Sequence, residues 1–262
     1  MGSATIRPRS CQVFPEFSFE WLEAEFDTVA ERSADPFYIS EETKKTLHEV
    51  YKYWKGKTSS DLATSYMSPE TLTAMKHNMF TPGNYFYNGI GHVTVDYGKV
   101  ITYGYSEYVK EIEEELAGMR VSDANYCKKH ALLEAMLISL RAVIRYAKRY
   151  SRLAKEMAEK EQNGTRKAEL LKISENCDRV PESGARNFYE ACQSFWFIQM
   201  LIQVESSGHS ISPGRFDQYM YPFYKKSLDA GMTREQAQEY IDCIWVKLND
   251  LNKCRDAVSA EG

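Results

Sequence analysis

The chain has 262 residues and a mass of 30.2 kDa, enough to bury a substantial core in one or two domains. Its net charge of -4 and pI near 5.8 argue against a nucleic-acid-binding protein, because such proteins present a basic face. No stretch reaches the roughly 20 apolar residues of a transmembrane helix, and residues 1–10 lack the apolar core of a secretory signal. The composition predicts a cytoplasmic protein.

Cysteine usage agrees with that prediction. Six cysteines are spread along the chain, without a Cys-x-x-Cys pair or the ligand spacing of a zinc site. In a cytosolic chain of this size we expect reduced thiols, most of them packed among apolar side chains. The sequence therefore predicts no bound metal.

The first part of the chain is predicted to form short helices. Ser18, Ser40 and Ser68 are each placed to cap a helix, because a serine hydroxyl accepts a hydrogen bond from a free amide of the first turn. Pro69 strengthens the third helix start, since proline fits the first turn. Gly56 marks the end of the second helix.

The pattern then changes from helical to irregular and extended. Residues 81–91 are rich in glycine and asparagine and predict a loop. Residues 92–104 alternate in polarity and predict a β-strand, the one convincing strand in the first half. On a straight strand His92 and Asp96 would lie about 13 Å apart, at roughly 3.3 Å per residue, too far to bind one metal ion together.

The second half is dominated by helices. A long helix is predicted from Asp123 to about Gln162, with an apolar stripe on one face and basic residues on the others. Glutamates interspersed among those basic residues indicate an ordinary solvated surface. A shorter helix is predicted over residues 165–178, and a linker over residues 180–184.

The segment from Asn187 to Glu205 is apolar on nearly every side, so a helix there should be surrounded by other elements. Thr233 and Gln236 form a capping box that opens the last helix. The chain is thus predicted to be mainly α-helical with a few β-strands. Because so little strand cannot close a sheet, we expect a piece of a larger fold.

A polar loop follows the apolar helix. The stretch from Glu205 to Tyr224, ESSGHSISPGRFDQYMYPFY, carries His209 and Ser210 among residues that break regular structure, followed by aromatic residues that can fasten the loop to a core. His92, like His209, directly follows a glycine. An imidazole titrates near neutrality and suits holding or protonating a hydroxyl. The two loops could converge on one cavity, or the histidines could be unrelated packing residues, and the residues alone leave both open.

Several longer motifs occur in order along the chain. They are PRSCQVFPEF (8–17), YWKGKTSSDLATSYM (53–67), NYFYNGIGHVTVDYGKV (84–100), FYEACQSFWFIQ (188–199), the loop quoted above, and IDCIWVKLND (241–250). On these residues the chain resembles the glycyl radical enzymes, specifically the dehydratase branch of the pyruvate formate-lyase-like family. The first two motifs bring it especially near to the B12-independent glycerol and propanediol dehydratases. The resemblance covers essentially the whole chain.

The resemblance implies a fold and a chemistry. In that family a ten-stranded α/β barrel, ringed by helices, encloses a loop with a glycine radical and a loop whose cysteine becomes a thiyl radical. The thiyl removes a hydrogen atom from the substrate, and a neighbouring hydroxyl then leaves as water. By match to the family's Gly-His-Val and Gly-His-Ser motifs, His92, His209 and Ser210 are implied to hydrogen-bond the hydroxyls of a substrate such as glycerol or 1,2-propanediol.

The sequence departs from the family at both radical positions. No cysteine is followed by Val-Glu, and no glycine lies in an Arg-Val-Ala-Gly-Tyr context. We therefore expect residues 1–262 to be a single partial domain, the N-terminal part of the barrel, with no catalytic residue, no bound cofactor and no turnover of its own. The full-length enzyme is implied to be a homodimer whose glycyl radical is installed by an S-adenosylmethionine iron–sulfur activating enzyme.

Other functions remain open from the sequence. Within the family, choline trimethylamine-lyase and hydroxyproline dehydratase are the nearest rivals. A cationic substrate would favour a carboxylate facing the pocket, and Asp96 is the nearby candidate. Outside the family, the chain could be a non-catalytic helical scaffold or interaction module with both histidines buried and structural.

Overall fold

The computed structural model describes residues 10–33, 36–82, 86, 91–205 and 210–253. These residues form eleven α-helices and two three-residue β-strands. The elements in chain order are β1 (Ser10–Gln12), α1 (Glu20–Glu25), α2 (Glu41–Trp54), α3 (Ser59–Ser65), α4 (Pro69–Lys76), α5 (Tyr97–Tyr103), α6 (Tyr105–Gly118), α7 (Tyr126–Lys160), α8 (Gly164–Arg179), α9 (Phe188–Glu205), α10 (Phe216–Asp229), α11 (Arg234–Asp250) and β2 (Leu251–Lys253). The mainly helical prediction is confirmed.

Local capping signals set most helix starts. The Ser40 hydroxyl accepts from the backbone amide of Thr43 in α2, and the Ser68 hydroxyl accepts from that of Thr71 in α4, each at 3.2 Å. Both caps are as predicted. The capping box of Thr233 and Gln236 is also present. Ser18 does not cap α1, whose N-cap is Phe19; its hydroxyl instead donates to the Glu20 carboxylate at 3.1 Å.

The strand predicted over residues 92–104 is wrong for most of its length. Residues 97–103 form α5, because the Asp96 carboxylate accepts from the Lys99 amide at 3.1 Å and caps a helix at this point. Tyr97, Val100 and Ile101 are buried on one face of that helix. The strands lie elsewhere: β1 and β2 pair in parallel, with Ser10 opposite Leu251.

The chain divides into two compact units. The first comprises residues 1–93, 202–212 and 245–262, and the second comprises residues 94–201 and 213–244. In the first unit, α1 and α2 share an apolar core in which the rings of Phe19 and Tyr51 stack with centroids 4.2 Å apart. The buried members of this core are Phe19, Leu22, Phe26, Val29, Phe37, Leu47 and Tyr51. Each large apolar side chain buried in this way contributes roughly 1.5–3 kcal/mol.

The second unit contains a long helical hairpin formed by α7 and α8. The α7 residues buried along its second half are all small, and they are Ala147, Ser151, Ala154 and Ala158. Small side chains let two helices approach closely, and the Ser174 hydroxyl of α8 donates to the Ser151 carbonyl at 2.8 Å. On the outer face Arg141 and Lys148 pair with Glu113 and Glu182, as expected of a solvated surface.

Helix α9 is the most buried element of the second unit. Its first three turns are buried on most sides, as predicted, while Val204 near its end is 50% exposed. The side chain of Glu190 is buried beneath the start of the helix, where its carboxylate accepts from the Arg186 amide at 2.6 Å and from the Arg186 guanidinium at 2.9 Å. Among the described helices, none has the length and apolarity that crossing a membrane requires.

Candidate functional site

His92 occupies an unusual backbone position. Its φ is 55°, in the left-handed region, and its side chain is exposed. Non-glycine residues rarely adopt positive φ, and asparagine and histidine tolerate it better than most. Gly91 immediately before it is buried.

Ser210, in the loop that follows α9, also has a left-handed backbone. Its φ is 54°, and its side chain is exposed while the next residue, Ile211, is buried. In the part of the chain that the structure describes, the other non-glycine residues with positive φ are both asparagines, Asn78 and Asn125. Backbone of this kind clusters at functional sites. His209 lies outside the described residues.

The two loop segments are joined by a backbone hydrogen bond. The Ser212 amide donates to the Val93 carbonyl at 3.0 Å. Val93 directly follows His92, and Ser212 is two residues beyond Ser210. The hydrogen bond therefore joins the two loops within two residues of His92 and of Ser210. The side chains of His92 and Ser210 are exposed.

Aromatic side chains fasten the second loop, as the sequence predicted. The Tyr219 hydroxyl of α10 donates to the Pro213 carbonyl at 2.8 Å. The Tyr219 ring stacks on Tyr97 of α5, with centroids 5.9 Å apart and planes 15° apart. Tyr97 in turn contacts Phe195 of α9 and donates its hydroxyl to Gln199. The strand predicted over residues 92–104 includes Tyr97 and therefore does not predict these partners.

Burial and charge tune the groups around the loop. Burial raises the pKa of both Tyr97 and Tyr219 above the ordinary tyrosine range, so both hydroxyls remain protonated donors at neutral pH. On the exposed start of α10, hydrogen bonds from Arg215 and then Gln218 lower the pKa of Asp217 to about 2. Asp217 therefore stays ionised, and an accepted proton would be held weakly.

The carboxylate proposed for recognising a cation has another role. Asp96 is exposed, and its Oδ1 accepts from the Lys99 amide as the cap of α5. A carboxylate used in this way is anchored to the helix start. Its position offers no support for an enclosed cage around a cationic substrate.

The cysteines do not lie in the sequence context of the family's radical cysteine. Cys177 and Cys192 are buried in helices, and burial raises their pKa values to about 11 and about 12. Cys127 and Cys243 are exposed on helices, and none of the six cysteines is followed by Val-Glu. Within the described ranges, no group of three or more His, Cys, Asp or Glu side chains is placed to bind a metal.

Comparison with known proteins places this geometry in a family. A family model described as pyruvate formate lyase-like matches residues 1–262. A structure from a study of 1,2-propanediol dehydration in Roseburia inulinivorans is 65% identical, with a TM-score of 0.92 over 100% of this chain and 33% of the other. The glycerol-bound B12-independent glycerol dehydratase from Clostridium butyricum is 53% identical, with a TM-score of 0.90 over 98% of this chain and 33% of the other.

A more distant relative acts on a different substrate. Trans-4-hydroxy-L-proline dehydratase from Clostridioides difficile is 33% identical over 95% of this chain and 32% of its own length. The chain spans about a third of the length of all three relatives. The match over every residue of the sequence shows that this chain belongs to the pyruvate formate lyase-like family of glycyl radical enzymes.

Proposed function

We propose that this chain supplies part of the substrate pocket of a glycyl radical dehydratase that removes water from a small diol or polyol, with glycerol and 1,2-propanediol as the leading substrates. The hydrogen bond from Ser212 to Val93 carries this proposal, because it ties together the two loops that hold the candidate binding residues. The two relatives with the highest identities given above concern the same two compounds.

In this proposal His92, His209 and Ser210 hydrogen-bond the substrate hydroxyls. Imidazole and hydroxyl groups can both donate to and accept from an alcohol. A departing hydroxyl gains negative character, so a donor aimed at it lowers the barrier to its loss. The left-handed backbone of His92 and Ser210 supports a functional role, since local strain persists where a side chain must be aimed.

The exposure of His92 and Ser210 is consistent with a pocket that this chain only begins. We propose that the full-length protein completes a ten-stranded barrel, in which β1 and β2 contribute one parallel pair, and that the remaining barrel covers the open side. The glycyl radical, its S-adenosylmethionine-dependent activating enzyme, a homodimeric assembly and a cytoplasmic location belong to the same proposal. Neither radical loop occurs in this sequence, so we expect the chain by itself to bind diol without turning it over.

Histidine NMR spectra test diol binding directly. The chain, labelled with 15N at its five histidines, is titrated with glycerol and 1,2-propanediol, and with 1-propanol as a control that has one hydroxyl. We expect saturable shifts of His92 and His209 with the diols. Absence of those shifts, or equal shifts with 1-propanol, would contradict the proposal.

Substitutions locate the binding. His92→Gln and Ser210→Ala each remove a hydrogen-bonding group and should weaken diol affinity roughly fivefold or more, since one such bond is worth about 1 kcal/mol. His77→Gln makes the same chemical change at another exposed histidine, just beyond α4, and should leave the affinity unchanged. Comparable losses in all three variants would place the diol elsewhere. Trans-4-hydroxy-L-proline in a parallel titration separates the rival substrate class.

A further inference from the structure

Tyr219 makes contacts that a packing residue on a surface helix does not need. Its hydroxyl donates to the Pro213 carbonyl at 2.8 Å, and its ring stacks on Tyr97. Phe216, one turn earlier in α10, packs edge-on against the ring of Tyr219, with centroids 5.8 Å apart. One side chain therefore contacts both the loop that follows Ser210 and the helix that follows His92.

The helix that carries Tyr97 approaches Tyr219 very closely. A Cβ atom built on Gly98 would lie 3.1 Å from the Cβ of Tyr219, a separation tighter than ordinary van der Waals contact. Gly98 thus lets α5 and α10 meet at this point. Tyr97 is 1% exposed and contacts Gln199 and Phe195, so the ring against which Tyr219 stacks is itself packed in the core.

The same residues border the backbone link between the loops. Pro213, whose carbonyl Tyr219 holds, directly follows Ser212, and Ser212 donates to Val93. A Cβ atom built on Gly214 would lie 3.0 Å from Cγ2 of Thr94, the residue after Val93. Ser212 is therefore linked to Val93, and Gly214 lies against Thr94, the next residue along the chain.

We propose that Tyr219 is a positioning residue for diol binding, which fixes the backbone of the Ser210 loop by holding the Pro213 carbonyl while its ring stays fixed on Tyr97. This inference rests on the proposed function, since it assumes that Ser210 contacts the diol. In this role Tyr219 acts through the loop backbone. Loss of its hydroxyl should leave the packed ring in place and release the carbonyl.

Tyr219→Phe tests this role, with Tyr221→Phe as a matched control at an exposed tyrosine of the same helix. The first readout is hydrogen exchange of the Ser212 amide, which should become roughly fivefold faster in Tyr219→Phe because about one hydrogen bond is lost. The second readout is the diol affinity, which should fall by a similar factor. The melting temperatures of both variants should stay close to that of the unsubstituted chain.

The two readouts separate the two proposals. Unchanged exchange at Ser212 in Tyr219→Phe, or an unchanged diol affinity with faster exchange, would overturn the positioning role. A fall in affinity accompanied by a melting temperature clearly below that of Tyr221→Phe would also overturn it, since that result indicates general destabilisation. Failure of the unsubstituted chain to bind any diol would contradict the proposed function and, with it, the role of Tyr219 in binding.

Discussion

The Ser212 amide donates to the carbonyl of Val93 at 3.0 Å, and this one bond joins two loops that are far apart in sequence. Both loops carry a residue with left-handed backbone beside the bond, His92 in one and Ser210 in the other. A backbone hydrogen bond at this place fixes the spacing of the two segments without depending on any side chain.

Removal of that amide should loosen the connection. Ser212→Pro eliminates the N–H group, whereas Ser212→Ala retains it. We expect Ser212→Pro to lower the free energy of unfolding by about 1 kcal/mol or more, because the Val93 carbonyl loses its donor, and Ser212→Ala to change it by less than about 0.5 kcal/mol. Urea unfolding measures both. Equal effects of the two substitutions would indicate that the side chain, and not the amide, holds the loops.

Glu190 should be the most sensitive charged residue at the start of α9. Its side chain is 4% exposed and bound by Arg186, so Glu190→Gln should cost about 1.5–3 kcal/mol, the usual value for hydrogen bonds to a charged group. Glu175 pairs with the same arginine but is 71% exposed, and Glu175→Gln should cost at most about 0.5 kcal/mol. Denaturant titrations of the two variants check this ranking, and a reversed order would refute it.

Thiol labelling should divide the described cysteines into two classes. Iodoacetamide reacts with the thiolate, and burial raises the pKa values of Cys177 and Cys192 to about 11 and about 12. We expect Cys127 and Cys243, which are exposed, to be alkylated first at pH 8, as mass spectrometry of the peptides would show. In urea the difference should vanish. Native labelling of Cys192 at the rate of Cys127 would show that the α9 core is open.

Stability should decrease at alkaline pH through the buried tyrosines. Burial raises the folded-state pKa of Tyr97. Burial, and to a smaller extent a hydrogen bond with Tyr150, raises the pKa of Tyr146 to about 12. The tyrosines of an unfolded chain have a pKa near 10. The folded chain then binds more protons than the unfolded chain above pH 10. The associated stability is therefore complete below about pH 10 and is lost as pH rises toward 12 and beyond.

A variant isolates this effect from the titration of lysines. Tyr97→Phe removes one of the titrating groups, so the difference in unfolding free energy between the unsubstituted chain and this variant should shrink as the pH is raised above 10. Urea unfolding at a series of pH values, with tyrosinate absorbance recorded alongside, measures it. A difference that is constant from pH 8 to 11 would show that Tyr97 is not shielded from solvent.

Helix starts were predictable because their causes are local. Ser40, Ser68 and the pair Thr233 and Gln236 cap their helices through side chains within three residues of the amides that they satisfy. The predicted long helix, from Asp123 to Gln162, is observed as Tyr126–Lys160. Periodicity predicts its buried face only in part: Ala147 and Ala154 of the predicted apolar stripe are buried, whereas Met136 is 42% exposed and Leu137 is buried instead.

Features that depend on distant partners were not predictable in this way. Residues 97–103 include β-branched side chains and belong to a stretch predicted to form a strand. They form a helix because Asp96 caps it and because Tyr97 packs against Gln199 and Phe195, which lie far along the chain. The pairing of β1 with β2 joins three-residue segments near opposite ends of the sequence, and so short a segment carries little signal.

The motifs predict the residues of the candidate site but not its geometry. His92, His209 and Ser210 follow from the Gly-His-Val and Gly-His-Ser motifs of the family that the chain resembles. The hydrogen bond between Ser212 and Val93 leaves no trace in the sequence, because any residue except proline can donate from its amide. His209 lies outside the described residues, so its role stays a prediction.

The central claim is that one diol molecule contacts both loops at once, and intermolecular nuclear Overhauser effects between 13C-labelled glycerol and the imidazole protons of the chain test it most directly. We predict contacts from the same glycerol to the rings of His92 and His209, both lost in Ser212→Pro and both kept in His77→Gln. Contacts to one ring only, or to neither at glycerol concentrations that saturate the chemical shifts, would contradict a shared site.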